Sequence, residues 1–271
     1  MLPEFLTESC ISQAPVAAVL AGATARGVLW QATPEQLLLD VPGVARYLAV
    51  GGRSITVDPV SETTAEKVAY FLGMLPLAAL SYQRGMLAFH AAAVCNDKGA
   101  LLLAGDSGSG KSTLLAALLK RGWRMLADDL AIVGLDEQGQ PVVLPAAQGI
   151  ALWPESLKKL AIEPGGLQSC DFNRRIFVPA ERAKGNPVPL RCMYRLGIHI
   201  KSGVELEEPT GNARFRLIAT MLYNSHVADA VCSKADYLRC AAAISRQAPI
   251  RILRRPRGQW SVGMLAEQIS L

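Results

Sequence analysis

The sequence predicts an α/β protein in which a core built on a mixed sheet follows a small antiparallel β region. The apolar run 100–104 is typical of a buried parallel strand, and a glycine-rich turn separates it from a helix-forming run at 113–121. Between residues 26 and 59, short β-type runs alternate with turn residues. These observations divide the chain into an N-terminal region, residues 1–84, and a core domain, residues 85–271.

The N-terminal region contains several short runs of β character. Turn residues separate them, and Gly51-Gly52 joins the last two in the pattern of a β-hairpin. The runs are residues 27–31, 36–40, 46–50 and 54–58. We therefore expect a small antiparallel sheet here.

Helical segments are expected on both sides of these runs. Val16–Ala23 is small and apolar and favours a partly helical segment. Ser61–Leu80 has a helical apolar face and a capping hydroxyl at Ser61 or Thr63. Pro76 is expected to end or kink this second helix, because proline has no N–H to donate and clashes with the preceding turn.

The apolar run Leu87–Cys95 predicts a central strand that leads to the glycine-rich turn. Asn96-Asp97-Lys98-Gly99 is a tight-turn sequence, so this strand and the run 100–104 should form an antiparallel hairpin. His90 lies within the predicted strand. A lone histidine on an apolar strand is either a core residue or part of a site, and the pattern leaves both open.

Residues 105–113 have the form G-x-x-x-x-G-K-[ST] of a phosphate-binding P-loop. Glycines allow backbone amides to surround phosphate oxygens, and the following helix adds the positive end of its dipole. Lys111 is placed to reach the terminal phosphates, and Ser112 to put its hydroxyl on a magnesium ion. A glycine-rich turn without a ligand is the alternative. The predicted binding residues are Gly105, Asp106, Ser107, Gly108, Ser109, Gly110, Lys111, Ser112 and Thr113.

Two adjacent aspartates, Asp128 and Asp129, occur inside the apolar run Met125–Val133. Burying an unpaired carboxylate costs free energy, so the pair predicts a site where Lys111 and a metal ion offset that cost. Neighbouring strand residues face opposite ways, which gives the two carboxylates separate tasks. One would hold a proton or orient a hydroxyl, and the other would bind magnesium. The alternative is a carboxylate pair in a turn between two short strands.

The remainder of the chain alternates between β and helical patterns. At 150–156 a strand should run into a helix start, where Glu155 complements the helix dipole or contacts magnesium or substrate. A loop at 163–189 contains Asp171-Phe172-Asn173-Arg174-Arg175 and is expected close to substrate. Further strands are predicted at 191–200 and 250–257, and helices at 213–223, 234–247 and 260–271.

The C-terminal third of the sequence is basic. Residues 168–271 hold sixteen basic and eight acidic side chains, and Arg254, Arg255 and Arg257 are clustered within them. The cluster either clamps a phosphate or places charge on an exposed strand edge to discourage aggregation. Because the chain has no nucleic-acid-binding motif, we expect no nucleic acid partner.

Composition predicts a globular cytoplasmic protein. Hydrophobic residues make up 51% of the sequence and charged residues 19%, which is sufficient for a sizeable core. The six cysteines are scattered without a C-x-x-C pair, so we expect reduced thiols. No basic signal sequence is found, and no apolar run reaches the roughly 20 residues of a membrane span, so no membrane association is expected.

His90, the loop Gly105–Ser112 and the stretch Arg121–Asp129 occur in this order at close spacing. Together they resemble the catalytic core of the HPr serine kinase/phosphorylase family, over roughly residues 88–133. The resemblance implies the P-loop fold that this family shares with phosphoenolpyruvate carboxykinase. In layout the chain is more similar to the shorter HPr-kinase-related proteins, which include kinases that phosphorylate a serine of lasso-peptide precursors.

The resemblance implies a role for each matched residue. Lys111 would stabilise the transferring phosphoryl group, and Ser112 would ligate magnesium. Asp128 would be the base that accepts the proton of an attacking serine hydroxyl, and Asp129 would assist with the metal. His90 would lie near the phosphoryl group, and the family likeness implies a homo-oligomer.

The sequence therefore predicts a kinase that uses ATP and Mg²⁺ to phosphorylate a serine of a peptide or small protein. GTP is the alternative donor. Two other functions are compatible with the same residues: a kinase for a small molecule such as a sugar, and a nucleotide-binding regulatory module with little turnover. The Asp128–Asp129 pair favours catalysis, since a binding module needs no base.

Overall fold

The computed structural model describes residues 11–146, 149–163, 176–179 and 186–270. The strands in these ranges are β1 Ile11–Gln13, β2 Ala25–Arg26, β3 Trp30–Thr33, β4 Gln36–Val41, β5 Ala45–Val50, β6 Ser54–Pro59, β7 Leu87–Phe89, β8 Ala91–Asn96, β9 Gly99–Gly105, β10 Arg124–Ala127, β11 Ala131–Leu135, β12 Pro141–Leu144, β13 Gly149–Leu152, β14 Ile176–Pro179, β15 Val188–His199, β16 Glu205–Glu207 and β17 Ile250–Pro256. The helices are α1 Ala65–Leu72, α2 Leu75–Gln83, α3 Lys111–Leu119, α4 Pro154–Lys159, α5 Asn212–Met221, α6 Ser225–Val231, α7 Lys234–Gln247 and α8 Val262–Ser270.

The N-terminal strands form a six-stranded sheet in the order β1-β6-β5-β4-β3-β2. Strands β2 to β6 pair antiparallel with their neighbours in sequence, and β1 adds to β6 in parallel. The predicted antiparallel sheet is confirmed. So is the hairpin between β5 and β6, where Gly51 and Gly52 have φ of 54° and 66°, a region that favours glycine.

The helix predicted at Val16–Ala23 is wrong, because this segment contains no helix. The N–H of Val16 donates to Oδ2 of Asp58, and the N–H of Leu20 donates to Oε1 of Gln31, both at 3.0 Å. In a helix the N–H of Leu20 would pair with the carbonyl one turn earlier, and the Gln31 side chain takes that amide instead. The segment is therefore fixed to the N-terminal sheet in a non-helical conformation.

The single helix predicted at Ser61–Leu80 is two helices. Thr64, and not Ser61 or Thr63, caps α1 by accepting from the N–H of Lys67. The helical conformation is interrupted after α1, and Pro76 lies in the first turn of α2. An N–H group at this position would have no intrahelical acceptor, so proline, which has none, is tolerated there. The proline therefore starts the second helix after the break.

A nine-stranded mixed sheet forms the centre of the protein. Its order is β10-β8-β9-β15-β12-β11-β7, with β17 beside β15 and β16 beside β17. β9 is buried along its whole length and runs antiparallel to β8 and parallel to β15. The predicted hairpin into β9 and the predicted α/β class with a mixed sheet are confirmed.

Two predicted strands of this sheet are interrupted at one place. The run Leu87–Cys95 divides at His90, since β7 pairs with β11 whereas β8 pairs with β9 and β10. The run Met125–Val133 divides at Asp128 and Asp129, which lie in a turn between β10 and β11. Asp129 has φ of 66°, which ends the extended conformation there. The prediction that the aspartates lie inside one strand is therefore wrong. We call the place formed by His90, Asp128 and Asp129 the strand break.

The alternating faces of β8 separate two hydrophobic cores. Ala91, Ala93 and Cys95 contribute to the first, which includes the N-terminal sheet, α2, β7, β11 and α7. Ala92 and Val94 contribute to the second, which includes α3 and α8. The first core contains residues from both sides of the predicted boundary at residue 84, and the domain division itself stays a prediction.

The C-terminal elements agree with the sequence pattern, with one addition. α7 has the predicted bounds, and Ser233 caps it by accepting from the N–H of Asp236 at 3.1 Å. β15, β17, α5 and α8 lie where strands and helices are predicted. α6 is not predicted; it begins after Asn224, whose side chain accepts from the N–H of Val227.

Much of the loop predicted at 163–189 lies outside the described residues, including Asp171-Phe172-Asn173-Arg174-Arg175. Within the described part, Ile176–Pro179 is not loop, because it pairs as β14 with β13. Cys10 and Cys170 also lie outside the described residues, and the other four cysteines are free thiols. In the described ranges, no helix is both long enough and apolar enough to cross a membrane.

Candidate active site

The glycine loop, Gly105–Gly110, joins β9 to α3. Gly105, Gly108 and Gly110 have φ of 152°, 81° and 103°, which a residue with a Cβ adopts only under strain. A Cβ on Gly105 would lie 2.8 Å from the carbonyl oxygen of Leu196 on the neighbouring strand. The glycines therefore allow the tight turn that places the first turn of α3 at the end of β9.

Lys111 is a buried cation at the start of α3, with 6% of its surface exposed. Its Nζ donates to the carbonyl oxygens of Gly105 at 2.7 Å and Asp106 at 3.4 Å, and to Nε2 of His90 at 3.0 Å. These acceptors offset the cost of removing the ammonium group from water. The side chain therefore links the glycine loop to the strand break.

His90 lies between Lys111 and the aspartate turn. A lysine ammonium group has no lone pair, so Nε2 of His90 accepts from Lys111. Nδ1 then carries the ring proton and donates to the backbone oxygen of Asp129, at 3.2 Å. The neutral imidazole with its proton on Nδ1 satisfies both contacts. Of the two roles that the sequence leaves open, the structure places His90 with the site residues.

Asp128 and Asp129 make different contacts. Oδ1 of Asp128 accepts from Oγ of Ser112 at 3.0 Å, and Oδ2 accepts from the N–H of Ala151 at 3.2 Å. Asp129 lines the open cleft together with His90. Asp128 is thus attached to the helix that follows the glycine loop, whereas Asp129 lies on the cleft side.

These residues border a cleft of about 450 Å³, a size typical of small-molecule sites. From the predicted binding set, Ser107 to Thr113 line it. Gly105 and Asp106 are not among the lining residues, and Asp106 forms an ion pair with Arg195 at 3.6 Å. The lining outside the loop is His90, Asp129, Ala151, Leu152, Trp153, Glu155, Ser156, Lys159, Arg255, Gly258, Gln259, Trp260, Ser261, Val262 and Leu265.

The predicted basic cluster divides between the cleft and the protein surface. Arg255 lines the cleft, and its guanidinium donates to the backbone oxygens of Ser109 at 3.3 Å and Gly108 at 3.4 Å. Arg254 pairs with Glu207 at 2.7 Å, and Arg257 is not among the lining residues. β16 pairs with β17 only over Ile252–Arg254, so Arg254 lies in a paired part of the strand. The alternative of an exposed strand edge stays a prediction for Arg255 and Arg257.

Several lining residues were not indicated by the sequence. Trp153 and Trp260 are 49% and 44% exposed, and Ser261 is buried beside the second tryptophan. Two tryptophans in loop positions next to helix starts are a usable signal, because loops carry binding residues and exposed indoles present a large apolar surface. Glu155, which was predicted, lies in the first turn of α4 and lines the cleft.

A tyrosine outside the predicted set, Tyr223, lies beside His90. The ring centroid of Tyr223 lies 6.0 Å from that of His90. Burial raises the pKa of Tyr223 to about 12, and the nearby Tyr70 and Asp129 contribute in the same direction. The phenol is therefore neutral near neutral pH, and Tyr223 places a polar but uncharged side chain next to His90.

No protein-family model matches the chain, and no curated protein matches it. Among solved structures, the chain is similar to the HPr(Ser) kinase/phosphatase from Coxiella burnetii, with a TM-score of 0.33 and 13% identity. The similarity covers 68% of this chain and 88% of the Coxiella chain. A likeness of this size does not establish a family.

Proposed function

We propose that the protein is a kinase that transfers the terminal phosphoryl group of ATP or GTP to a hydroxyl group. One observation carries the proposal: the Lys111–His90–Asp129 contacts and the Ser112–Asp128 hydrogen bond meet at a single glycine loop. Phosphoryl transfer requires a phosphate cradle, a positioned cation, a metal position and a base. The cleft contains candidates for all four.

The loop and two cations would hold the phosphates. Glycine-rich turns at a helix start present backbone N–H groups and the helix dipole to an anion. Lys111 is already held at the loop, and its long 3.4 Å contact to Asp106 is the one most readily exchanged for a phosphate oxygen. Arg255, which contacts the loop backbone from β17, would add a second positive charge.

The residues fit a magnesium ion that arrives with the nucleotide. Among the described residues there is no group of three or more His, Cys, Asp or Glu side chains that would hold a metal. Mg²⁺ commonly binds through one or two carboxylates, with phosphate oxygens and water completing its shell, so this set is sufficient. When bound, the ion would neutralise charge on the phosphates. Ser112 and Asp128 are the residues proposed to hold it, with Asp129 as the alternative carboxylate.

The contacts favour different roles for Asp128 and Asp129 from those that the resemblance implies. Ser112 donates its hydroxyl proton to Asp128, which leaves the lone pairs of its oxygen for a cation. Asp128 is therefore proposed on the metal side. Asp129 lines the cleft beside His90, so we propose Asp129 as the base that the resemblance assigns to Asp128.

In the proposed reaction, the acceptor oxygen attacks the terminal phosphorus as the bond to the bridging oxygen breaks. The acceptor proton passes to the carboxylate of Asp129, and the nucleoside diphosphate leaves with the bridging electron pair. Lys111 stabilises the negative charge on the transferring group. His90, which is neutral in its contact with Lys111, holds the ammonium group in place and fixes the backbone of Asp129.

We propose a serine of a peptide or small protein as the acceptor, with a lasso-peptide precursor as one example. This part of the proposal rests on the sequence resemblance. The test incubates the purified chain with ATP, Mg²⁺ and a panel of serine-containing peptides, including a lasso-peptide precursor, and measures ADP and phosphopeptide together. Equimolar formation of both is the expected result.

Two variants define the site in this assay. Asp129→Asn should lower turnover by about 10²–10⁴-fold, the typical contribution of a positioned base, while nucleotide still binds. Asp97→Asn is the matched control, since its side chain is 99% exposed and pairs with Arg124 on the surface. Nucleotide binding without consumption, for every acceptor tested including sugars, would leave a regulatory module and exclude the kinase.

A further inference from the structure

Two large aromatic side chains line the cleft outside the glycine loop and the strand break. Trp153 precedes α4 and Trp260 precedes α8, and both line the cleft while remaining about half exposed. Exposed indoles carry a large apolar surface that a flat ligand can cover. Neither residue has a part in the phosphoryl chemistry described above.

The segments that contain these tryptophans contact each other, and α4 contacts α3. Oγ1 of Thr113, in the first turn of α3, lies 3.1 Å from Oγ of Ser156 on α4. Nζ of Lys159, at the end of α4, lies 4.9 Å from the centroid of the Trp260 ring. This cation–π contact joins α4 to the segment before α8. The compartment lined by Trp153, Trp260 and Ser261 is therefore connected through α4 to α3, the helix that follows the glycine loop.

A buried polar group in this compartment lacks a partner. Ser261 is only 2% exposed and lines the cleft, yet its Oγ has no hydrogen-bond partner among the described residues. A buried hydroxyl without a partner costs free energy, and such groups in native structures mark a strained or ligand-binding position. Because a hydroxyl can donate or accept, it suits the mixed edge of a heterocyclic base.

The other lining residues determine what this compartment would hold. A nucleoside triphosphate has its reacting phosphate at one end and its base at the other. Lys111, His90 and Asp129 are assigned to the reacting end, which leaves the lining with Trp153, Trp260 and Ser261 for the base. We propose that this compartment binds the nucleobase by stacking on the two indoles, with Ser261 contacting its polar edge.

This inference rests on the proposed nucleotide-dependent function, and it can be tested separately by removing the base from the ligand. Inorganic tripolyphosphate has the three phosphates of ATP and no base. Isothermal titration with Mg²⁺ should therefore compare ATP and tripolyphosphate on the same variants. For each tryptophan replaced by alanine, we expect ATP binding to weaken roughly 5- to 100-fold, the range for loss of one stacked base, and tripolyphosphate binding to change less than twofold.

Conservative and distant variants serve as controls. Trp260→Phe keeps a ring for stacking and should retain most of the ATP affinity that Trp260→Ala loses. Trp30→Phe removes an indole from the N-terminal sheet, outside the cleft, and should alter neither ligand. Lys111→Ala should weaken both ligands, because it removes a phosphate contact.

The outcomes separate the two proposals. If neither ATP nor tripolyphosphate binds the wild-type chain, the proposed function fails and this inference fails with it. If both bind and the tryptophan variants weaken both equally, or weaken neither, the function stands and the nucleobase compartment is refuted. A tryptophan variant that leaves ATP affinity unchanged but raises the KM for the acceptor would also refute it, since the compartment would then hold the acceptor.

Discussion

Replacing Asp128 by asparagine tests whether Asp128 is the metal-side carboxylate and Asp129 the base. The asparagine side chain keeps the shape of the aspartate and both hydrogen bonds, since its oxygen can accept from the N–H of Ala151 and its amide can donate to Oγ of Ser112. The charge is lost, and the hydrogen bond with Ser112 reverses its direction, so that the Ser112 oxygen becomes the acceptor. Hydrogen bonds to charged groups stabilise by about 1.5–3 kcal/mol and neutral ones by about 1 kcal/mol, so for the two bonds we expect a total cost of about 1–4 kcal/mol.

This cost corresponds to a decrease of about 2–16 °C in Tm for a chain of this size. The functional effect should appear in the Mg²⁺ dependence, because the proposed metal-side carboxylate is neutralised. We expect the half-saturating Mg²⁺ concentration for phosphoryl transfer to rise about 10- to 100-fold, with much of the rate restored at high Mg²⁺. The assay is ADP release against Mg²⁺ concentration for the wild type, Asp128→Asn and Asp129→Asn.

The opposite result would exchange the proposed roles of Asp128 and Asp129. If Asp128→Asn lowers the rate by about 10²-fold or more at saturating Mg²⁺ with an unchanged Mg²⁺ midpoint, then Asp128 is the base, as the sequence resemblance implies. Asp129→Asn should then show the shifted Mg²⁺ midpoint instead. Thermal unfolding of each variant separates a loss of activity from a loss of folded protein.

Three further predictions follow from single contacts. His90→Gln should lower kcat at least tenfold with little change in nucleotide affinity, because the amide holds Lys111 less rigidly; an unchanged kcat would remove His90 from the site. Gly110→Ala and Gly122→Ala, at φ of 103° and 84°, should each destabilise by about 1–2 kcal/mol in urea, but only the first should weaken ATP binding. Equal effects on binding would show that the loop conformation is not used. With the pKa of Tyr223 raised to about 12, the unfolded chain loses the phenol proton from pH 10 while the folded chain keeps it, so stability falls between pH 10 and 12. Tyr223→Phe should reduce this fall by roughly 2–3 kcal/mol, measured by denaturation across that range, and an identical slope would mean that the phenol is not buried.

The sequence predicted the elements whose signals are local. α7 has the predicted bounds because a capping serine, Ser233, and an amphipathic pattern both lie within the helix. The turn after α3 is equally local: Gly122 has φ of 84°, and the N–H of Trp123 donates back to the carbonyl of Leu118 at 3.2 Å. Such contacts involve residues within one or two turns of each other, so the pattern alone specifies them.

The sequence did not predict where strands change partners. Leu87–Cys95 is apolar throughout, and nothing in that pattern shows that the residues before His90 pair with β11 and those after it with β9 and β10. The failed helix at Val16–Ala23 has a similar cause, since side chains distant in sequence take its amides. For the site, residue types identified the loop, Lys111 and the aspartates, whereas the tryptophans enter through tertiary packing.

The strand break has a consequence for how the protein unfolds. β7 packs in the core shared with the N-terminal sheet, whereas β8 contributes to both cores, and His90 lies between them. The amide of His90 is protected by the carbonyl of Met221, from the helical layer of the first core. Hydrogen exchange at this amide should therefore follow the opening of the first core. A form that has lost the N-terminal sheet but kept the glycine loop would still present α3 to an anion, yet His90 and Lys111 would no longer be aligned. The alignment of His90 with Lys111 is thus a property of the cooperatively folded chain, and not of the loop and its helix alone.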